Sequence, residues 1–537
     1  MPSPAPYAQV QPQQVPLAIV GGTHFGRYNK ISLEETWNFI VSDGFLVPYA
    51  GYKNVLTLAT ATDGRGLYSS FVGNLMIAVI GVAVYKIQAL PNGTLVSTIV
   101  GTLATNSGDV YIAENNNSQI CITDNAFVYV YSYAGAGSFR SSDPSTGSSF
   151  SFPFTSPGYI SFQNGNLIIA CSDSTNWVLS APNDATTWPN DPAHVGSIQT
   201  KPDKCQACVP VPGGGNNLFV FGRNCMELWQ FTGTALFPYQ RASTFNIDYG
   251  CINPASIAHL KNYVVWIAVN EQSGPVLMVS YGGVPEAIST DGIDFQLGNL
   301  TNPENCTGFL YQQDGHVLYQ FTFPTDNISY AYDFETKLFF NVSDENLNYH
   351  PAREVVYFNN NYFFVSLEGG NVYEFSSNFT TAQYDEDTIK VIPRIRICPP
   401  LRLPDQLYYT ITSLGFTVEN GQPNRMYNTM LTLGAGSDIT TEDGSLLSTE
   451  SGVDLITEFS TTSIVGTSLT EEINLAVSRN GGMTFGSFWT KYMNPTGGFK
   501  SRFIYQRLGI ANDSTFQLRF NGYGRFVVTD GLVDIYR

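Results

Sequence analysis

One repeated unit constrains this 537-residue chain more than any other feature. A Gly/Asn turn precedes a run of four to six apolar, often β-branched residues; a second turn follows, then another such run. The unit can be read at 73–86, 125–133, 164–179, 217–231, 262–280, 315–340 and 360–375. Short apolar runs punctuated by Gly, Asn, Ser and Pro are the pattern of strands joined by tight turns. The spacing, roughly 40–53 residues, is close to that of propeller blades. A blade is a small four-stranded sheet that cannot bury both of its faces alone. Radial packing of several blades covers those faces and leaves only short edges. The pattern therefore predicts an all-β chain with a six- or seven-bladed β-propeller over 56–380. Both counts stand, because the first and last units often combine to close such a ring.

Two segments break the rhythm. Residues 134–158 read AGAGSFRSSDPSTGSSFSFPFTSPG, a loop insertion that still carries Phe139, Phe150, Phe152 and Phe154. Phe in a Ser/Gly loop needs somewhere to bury, which makes these four candidates for a subunit-contact or gate loop. After residue 380 the period is lost. Asp385, Glu386 and Asp387, then Pro393, Pro399, Pro400 and Pro404, mark a boundary. Strands near 407–418, 473–478, 502–508 and 516–520 indicate a β-sandwich platform domain over 381–537. Within it, 436–470 is an acidic Ser/Thr-rich insertion, a long hairpin or an arm. Residues 1–55 read as an N-terminal arm and entry strands that pack with the platform. The opening MPSPAPYAQVQPQQVP has neither a basic n-region nor an apolar h-region, so no secretory signal is expected. No run is long enough to predict a membrane-spanning helix.

Charge narrows the function classes. Charged residues make up 13% and aromatics 14% of the chain, against roughly 25% charged in ordinary soluble domains. Few charges with many aromatics fit a surface covered by partners; a large all-β protein with long polar loops would read the same way. The net charge is −18. Residues 380–537 hold 13 Lys+Arg and 16 Asp+Glu, whereas the preceding part holds 13 and 28, so the acidic excess lies in the first part. Tight nucleic-acid binding needs clustered Lys and Arg. DNA would pass such a surface without being gripped.

No catalytic set is visible. None of the five histidines stands at a metal-ligand spacing, and there is neither a Gly-x-Ser-x-Gly elbow nor a phosphate loop. Of eight cysteines only Cys205 and Cys208 form a CxxC. Zinc ribbons usually need two such knuckles, so buried free thiols are expected, with no metal and no other cofactor. Asp291 and Asp294 are accounted for by an acidic loop. The segment 478–485, SRNGGMTF, resembles the Asp-box turn of sialidases, a structural element, but the arginine set of a sialidase is missing. The chain reads as a non-enzyme. A monomeric glycan-binding or sialidase-like propeller is the alternative.

The densest set of distinctive residues is Phe219-Val-Phe-Gly222, Glu227-Leu-Trp229, Thr232-Gly233, Phe237-Pro238, Gln240-Arg241, Gly250-Cys251, Pro254-Ala-Ser256 and Trp266. Upstream stand Trp188 and Lys201-Pro-Asp203; Gln506-Arg507-Leu508-Gly509 follows near the C-terminus. Together they resemble the tail-hub or nozzle proteins of short-tailed bacteriophages, also called packaged-DNA-stabilisation proteins. The resemblance implies a structural protein of the virion tail, made and assembled in the host cytoplasm. It implies a homo-oligomeric ring, usually a hexamer, below the portal and its adaptor. Tail fibres or spikes would be further partners. Double-stranded DNA would be retained by the ring's channel and conducted through it at ejection, and an acidic lumen would let it slide. On this reading Lys390, Arg394, Arg396 and Arg402, clustered at the start of the platform, are candidates for docking on the adaptor or a neighbouring platform.

Overall fold

The computed structural model describes residues 12–28, 33–59, 62–146, 149–211, 213, 215–234, 237–385, 388–422, 471–493 and 499–536. The 436–470 insertion lies outside the described residues.

Seven four-stranded antiparallel blades follow one another among the described residues, five as separate sheets and two within larger ones. Blade 1 comprises Gly64–Ser70, Leu75–Ile80, Ala83–Ala89 and Leu95–Thr102; blade 2 comprises Tyr111–Glu114, Gln119–Thr123, Val128–Ser132 and Ser138–Ser141. Blade 3 comprises Pro157–Gln163, Asn166–Cys171, Asn176–Leu179 and Val195–Ser197; blade 4 comprises Cys205–Pro210, Asn217–Gly222, Met226–Phe231 and Tyr239–Ile247. Blade 5 comprises Ala258–Leu260, Tyr263–Ala268, Val276–Ser280 and Glu286–Ala287; blade 6 comprises Thr307–Gln313, His316–Phe323, Ile328–Asp333 and Phe339–Asn341. Blade 7 takes Ala352–Phe358, Asn361–Ser366 and Gly370–Ser376 from the end of the repeats. Its outer strand, Gly51–Ala59, comes from before blade 1 and pairs with Gly370–Ser376.

Local sequence explains each blade. Every turn from first to second strand holds a residue in the left-handed region: Asn74, Ser118, Asn164, Asn216, Lys261, Asp314, and the Asn359–Asn360 pair. Asn and Asp tolerate that conformation better than most side chains. Asn164-Gly165, Asp314-Gly315 and Asn359-Asn360 have positive φ at both positions, the geometry that matches the twist of a two-residue hairpin. The second strands are the apolar runs of the sequence. Leu75–Ile80 is buried throughout, and the others are buried beyond their first one or two residues. Such a strand cannot alternate, because a neighbouring blade covers each of its faces.

Seven separate apolar clusters fill the seven seams. Ile77 and Val79 of blade 1 meet Ile120 and Ile122 of blade 2, and equivalent clusters join blades 2 to 3, 3 to 4, 4 to 5, 5 to 6 and 6 to 7. The last joins Phe363 and Val365 of blade 7 to Met76 and Ala78 of blade 1, closing the ring. An α-helix, Asp291–Gly298, packs Ile293 and Leu297 into the seam of blades 5 and 6. The expected acidic loop is therefore helix: Thr290 caps it, and Asp291 and Asp294 occupy its first turn, where the helix dipole favours acids.

The platform is a sandwich drawn from both ends of the chain. One sheet orders Gln13–Leu17, Gly531–Tyr536, Tyr409–Gln422, Arg525–Val528, Phe45–Pro48 and Phe39–Ser42, with Lys500–Ala511 also paired to Tyr409–Gln422. The other continues outward from blade 6. Phe339–Asn341 meets Glu35–Trp37, then come Arg394–Ile397, Asp513–Asn521, Glu472–Ser478 and Trp489–Tyr492. Their shared core includes Phe39, Phe416, Phe516, Phe520 and Phe526.

The expected cuts at 55/56 and 380/381 need correction. The first falls inside Gly51–Ala59, a strand of blade 7. The second separates Thr381–Gln383 from the blade-7 sheet, although Thr381–Gln383 pairs in parallel with Gly51–Ala59. Residues 134–158 are also more than a loop, since they contain Ser138–Ser141, the outer strand of blade 2.

Gly51 is required at this closure. A Cβ there would stand 2.6 Å from the Thr381 carbonyl oxygen and 2.8 Å from that of Phe379. Gly51→Ala is expected to cost about 1–3 kcal/mol, read as a lower denaturation midpoint. A second test is pH. His350 is buried between Tyr49, Tyr52, Phe364 and Phe375, and burial lowers its pKa to about 3. The unfolded imidazole takes a proton near pH 6.5 and the folded one does not, so stability present above 6.5 is lost as pH falls toward 3. The slope is at most about 1.4 kcal/mol per pH unit. Between pH 6.5 and 5 the difference in stability between the wild type and His350→Phe, read from melting, should change with this slope.

Candidate functional site

The inner strands enclose a cavity of about 440 Å³ on the propeller axis, walled by blades 1, 2, 3, 5, 6 and 7. Arginines lace the wall where blades 7, 1 and 2 meet. Arg65 is buried and spends its guanidinium on backbone carbonyls: Gly81 at 2.9 Å, Thr105 at 2.6 Å, Ser107 at 2.8 Å and Gly108 at 2.9 Å. Arg353 of blade 7 donates to the Arg65 carbonyl at 3.0 Å and pairs with Asp109 at the entry to blade 2. Beside it, the Glu354 carboxylate accepts from the Leu67 N–H at 2.9 Å.

The remaining wall is aromatic and polar. Tyr111 and Tyr159 lie with ring centroids 5.2 Å apart. Glu354 and His259 open onto the cavity, their side chains accessible from it yet hemmed in by the surrounding wall. Desolvation raises the Glu354 pKa to about 7, against the opposing pull of the Leu67 N–H and Arg353. Desolvation likewise lowers the His259 pKa. The Tyr159 phenol is raised by burial first and by the Glu354 charge second. Thr307, also in the wall, has a buried hydroxyl with no hydrogen-bond partner. No group of three or more His, Cys, Asp or Glu able to hold a metal ion occurs among the described residues. The wall can bind and orient a small molecule. The sequence reading missed these residues, although a charged doublet, Arg353-Glu354, inside an otherwise apolar strand was a visible signal.

The platform cations do not form one surface. Arg394 and Arg396 are fully buried. Arg394 donates to the carbonyls of Thr380 at 2.8 Å, Ile392 at 3.0 Å and Tyr49 at 3.4 Å. Arg396 donates to the carbonyls of Ile19 at 2.7 Å, Gly22 at 2.9 Å and Ala18 at 3.2 Å, to Thr36 Oγ1 at 2.9 Å and to Glu34 at 2.6 Å. Their charge is used inside the chain, which corrects their expected place in a docking patch. Lys390 and Arg402 are partly exposed and ion-paired, to Glu345 and Asp513 respectively.

The loop phenylalanines also find partners within the chain. Phe139 stacks on Tyr129 and closes over Gly101 of blade 1. Phe152 meets Phe154 and Trp188, and Phe150, Phe152 and Phe154 pack on the core between blades 2 and 3. All four are half-buried, so the burial that suggested a neighbouring subunit is supplied by adjacent blades.

The distinctive motif residues specify fold. Glu227 is buried in blade 4 and accepts from Gln199 N at 2.8 Å, Thr200 N at 2.6 Å, Thr200 Oγ1 at 2.6 Å and Trp229 Nε1 at 2.9 Å. It ties down the crossing from blade 3. At Gly250 a Cβ would lie 2.3 Å from the backbone of Gly222 and Arg223. In the 478–485 turn, Ser478 Oγ accepts from Gly482 N at 2.9 Å and Asn480 Oδ1 from Thr484 N at 3.0 Å. All eight cysteines are buried free thiols, and the Cys205 and Cys208 sulfurs stand 4.0 Å apart.

Comparisons with known proteins place this architecture. Among solved structures, virginiamycin B lyase from Staphylococcus aureus is similar at 10% identity and a TM-score of 0.40, over 61% of this chain and 98% of that one. The extracellular domain of the hybrid two-component system BT4673 from B. thetaiotaomicron is similar at 12% identity and a TM-score of 0.40, over 61% and 40%. The computationally designed Ika8 protein is similar at 11% identity and a TM-score of 0.35, over 67% and 100%. No curated protein matches by sequence. No helix among the described residues is long and apolar enough to cross a membrane. The family model described as phage stabilisation, bacteriophage P22 Gp10, β-propeller matches residues 32–380, and the chain belongs to that family of phage tail proteins.

Proposed function

We propose that this phage tail protein forms a ring, a hexamer in the simplest case, whose platform domains surround a channel that holds packaged DNA and conducts it at ejection. The observation that carries the reading is the platform surface. Leu407, Tyr408, Trp489, Tyr492, Phe499 and Ile510 are all exposed there. Concentrated exposed apolar residues mark interaction sites, and a closed ring needs such a surface on each subunit. The propeller axis supports the same view from the other side. Its 440 Å³ cavity has the volume of a small-molecule site, so a DNA conduit would lie between copies of the chain. The acidic excess of the first part suits a lumen over which DNA slides. Portal or adaptor proteins above, and fibres or spikes around the ring, are the partners this reading requires. A structural role leaves catalysis with no part to play.

Light scattering and negative-stain imaging of the purified chain should show closed rings, and particles should carry the protein in the tail. A strict monomer absent from virions would sink the proposal. The remaining docking candidates separate cleanly from the buried ones. Lys390→Gln with Arg402→Gln should reduce tail incorporation severalfold in protein that still folds, since both cationic side chains stand at the surface. Arg396→Glu should abolish soluble folded protein, as it leaves Glu34 and buried carbonyls unpaired. Normal incorporation of the first variant removes Lys390 and Arg402 from the docking surface.

A further inference from the structure

Where the platform meets blade 6, three turns bring a serine, a histidine and an aspartate into one hydrogen-bonded row. Ser42 ends Phe39–Ser42, and Asp43-Gly44, both at positive φ, turn the chain directly into Phe45–Pro48. His316 opens the second strand of blade 6 just after its Asp314-Gly315 turn, and Asp333 ends the third strand. His316 Nδ1 stands 2.9 Å from Asp333 Oδ2, and His316 Nε2 stands 3.0 Å from Ser42 Oγ. Asp333 is fully buried and accepts from two further donors, Thr336 Oγ1 at 2.7 Å and the Glu335 N–H at 3.0 Å. Ser42 and His316 are half-buried.

We propose that Ser42, His316 and Asp333 form a catalytic site that hydrolyses carboxylic esters. The order of the row is the one acyl transfer needs. A buried carboxylate takes the Nδ1–H, which fixes the tautomer and leaves Nε2 to accept from the serine hydroxyl. The N–H groups of Asp43 and Gly44 donate to no group among the described residues, and the N–H that follows a nucleophile serves elsewhere as a donor to the oxyanion. A Cβ on Gly44 would meet nothing within 4 Å, so the turn is open to a substrate. Phe45 pairs with Ser42 across the hairpin and is 41% exposed; its ring lies on the same side of the ribbon as the serine. One aromatic contact can hold a small acyl or aryl group but not a length of peptide, which selects an ester.

Ser42 Oγ bonds to the ester carbonyl carbon as its proton passes to His316 Nε2. The carbonyl π pair moves to oxygen, where the Asp43 and Gly44 N–H groups receive it. When that pair returns, the bond to the alcohol oxygen breaks and the alcohol leaves with the proton from His316. Water then attacks the acyl-serine and gives a proton to His316. The bond between Ser42 and the acyl group breaks, the proton returns to Ser42 Oγ, and a carboxylic acid leaves. Asp333 exchanges no proton and is a positioning residue. The site goes beyond the ring proposal and does not depend on it, because all three residues come from one chain and the tail role needs no catalysis.

The test uses the purified full chain, a fluorophosphonate probe and the p-nitrophenyl esters of acetate and butyrate. Peptide mass mapping should find the phosphonyl group on Ser42 Oγ, with fluoride displaced, and the heat-denatured chain should not take the label there. Ser42→Ala and His316→Gln should each lower kcat for ester hydrolysis at least about a hundredfold. Asp333→Asn should lower kcat with KM unchanged, because it leaves the wrong imidazole nitrogen protonated; a structural tie alone would not divide the two constants in this way. Mapping the label on the wild type needs no variant and decides the question even where a variant fails to fold. The proposal is overturned if the folded wild-type chain carries no label on Ser42, or if folded Ser42→Ala hydrolyses both esters as fast as the wild type does.

Discussion

The structure depends on one strand. Gly51–Ala59 leaves the platform, becomes the outer strand of blade 7 and leads directly into the inner strand of blade 1. It therefore closes the ring and fixes the ring to the platform in a single stretch of backbone. Each blade buries its second strand only because two neighbours cover it, so an open ring would expose the seam between Phe363 and Val365 on one side and Met76 and Ala78 on the other. Apolar burial is the dominant favourable term in such a fold, and it becomes available to the terminal blades only on closure. The same strand pairs in parallel with Thr381–Gln383, which directs the chain out of the last blade and back toward the platform.

That exit is held by buried charge. Arg394 bridges the carbonyls of Tyr49, at the entry to the closing strand, and Thr380, at the exit from blade 7. It has no carboxylate partner in this set, and burial lowers its pKa to about 9. Arg396, two positions along on the same strand face, gathers the segment 18–22 and Glu34. Burying a guanidinium is costly unless its donors are satisfied. What two such residues contribute is specificity, since few other arrangements of the N-terminal segment would present carbonyls at those positions. Together with the single parallel pairing of Trp37 to Asn341, they make the platform sheet a continuation of blade 6.

The legible and illegible parts of this chain differ for one physical reason. The blades were legible because each is built from neighbours in sequence. All seven repeated units fall one to a blade, and their Asn and Gly turns are the positive-φ hairpins. The all-β class, the propeller and the fold-specifying role of Glu227 and Gly250 follow from the same local signals. What was misread depends on long-range pairing. Gly51–Ala59 looks like any entry strand until it meets residues more than three hundred positions away. Arg394 and Arg396 look like surface charge because their carbonyl partners carry no sequence signature. Phe139 and Phe152 looked stranded in a Ser/Gly loop, yet Gly101 and Trp188 on adjacent blades receive them. The axial residues were the hardest to see. Tyr111, Tyr159, His259, Thr307 and Glu354 come from five blades and share a cavity only after the ring has closed.

Closure also separates the work of the strands within each blade. The inner strands form the ring's axis, so their side chains are the least needed for packing between blades, which the second strands already provide. Glu354 shares a strand face with Val356, which packs in the seam with blade 1, and its carboxylate takes the Leu67 N–H of that blade. The platform, by contrast, has its polar anchors turned inward and its exposed aromatics outward. The continuous sheet from blade 6 through Glu35–Trp37 to Trp489–Tyr492 joins the propeller to the platform.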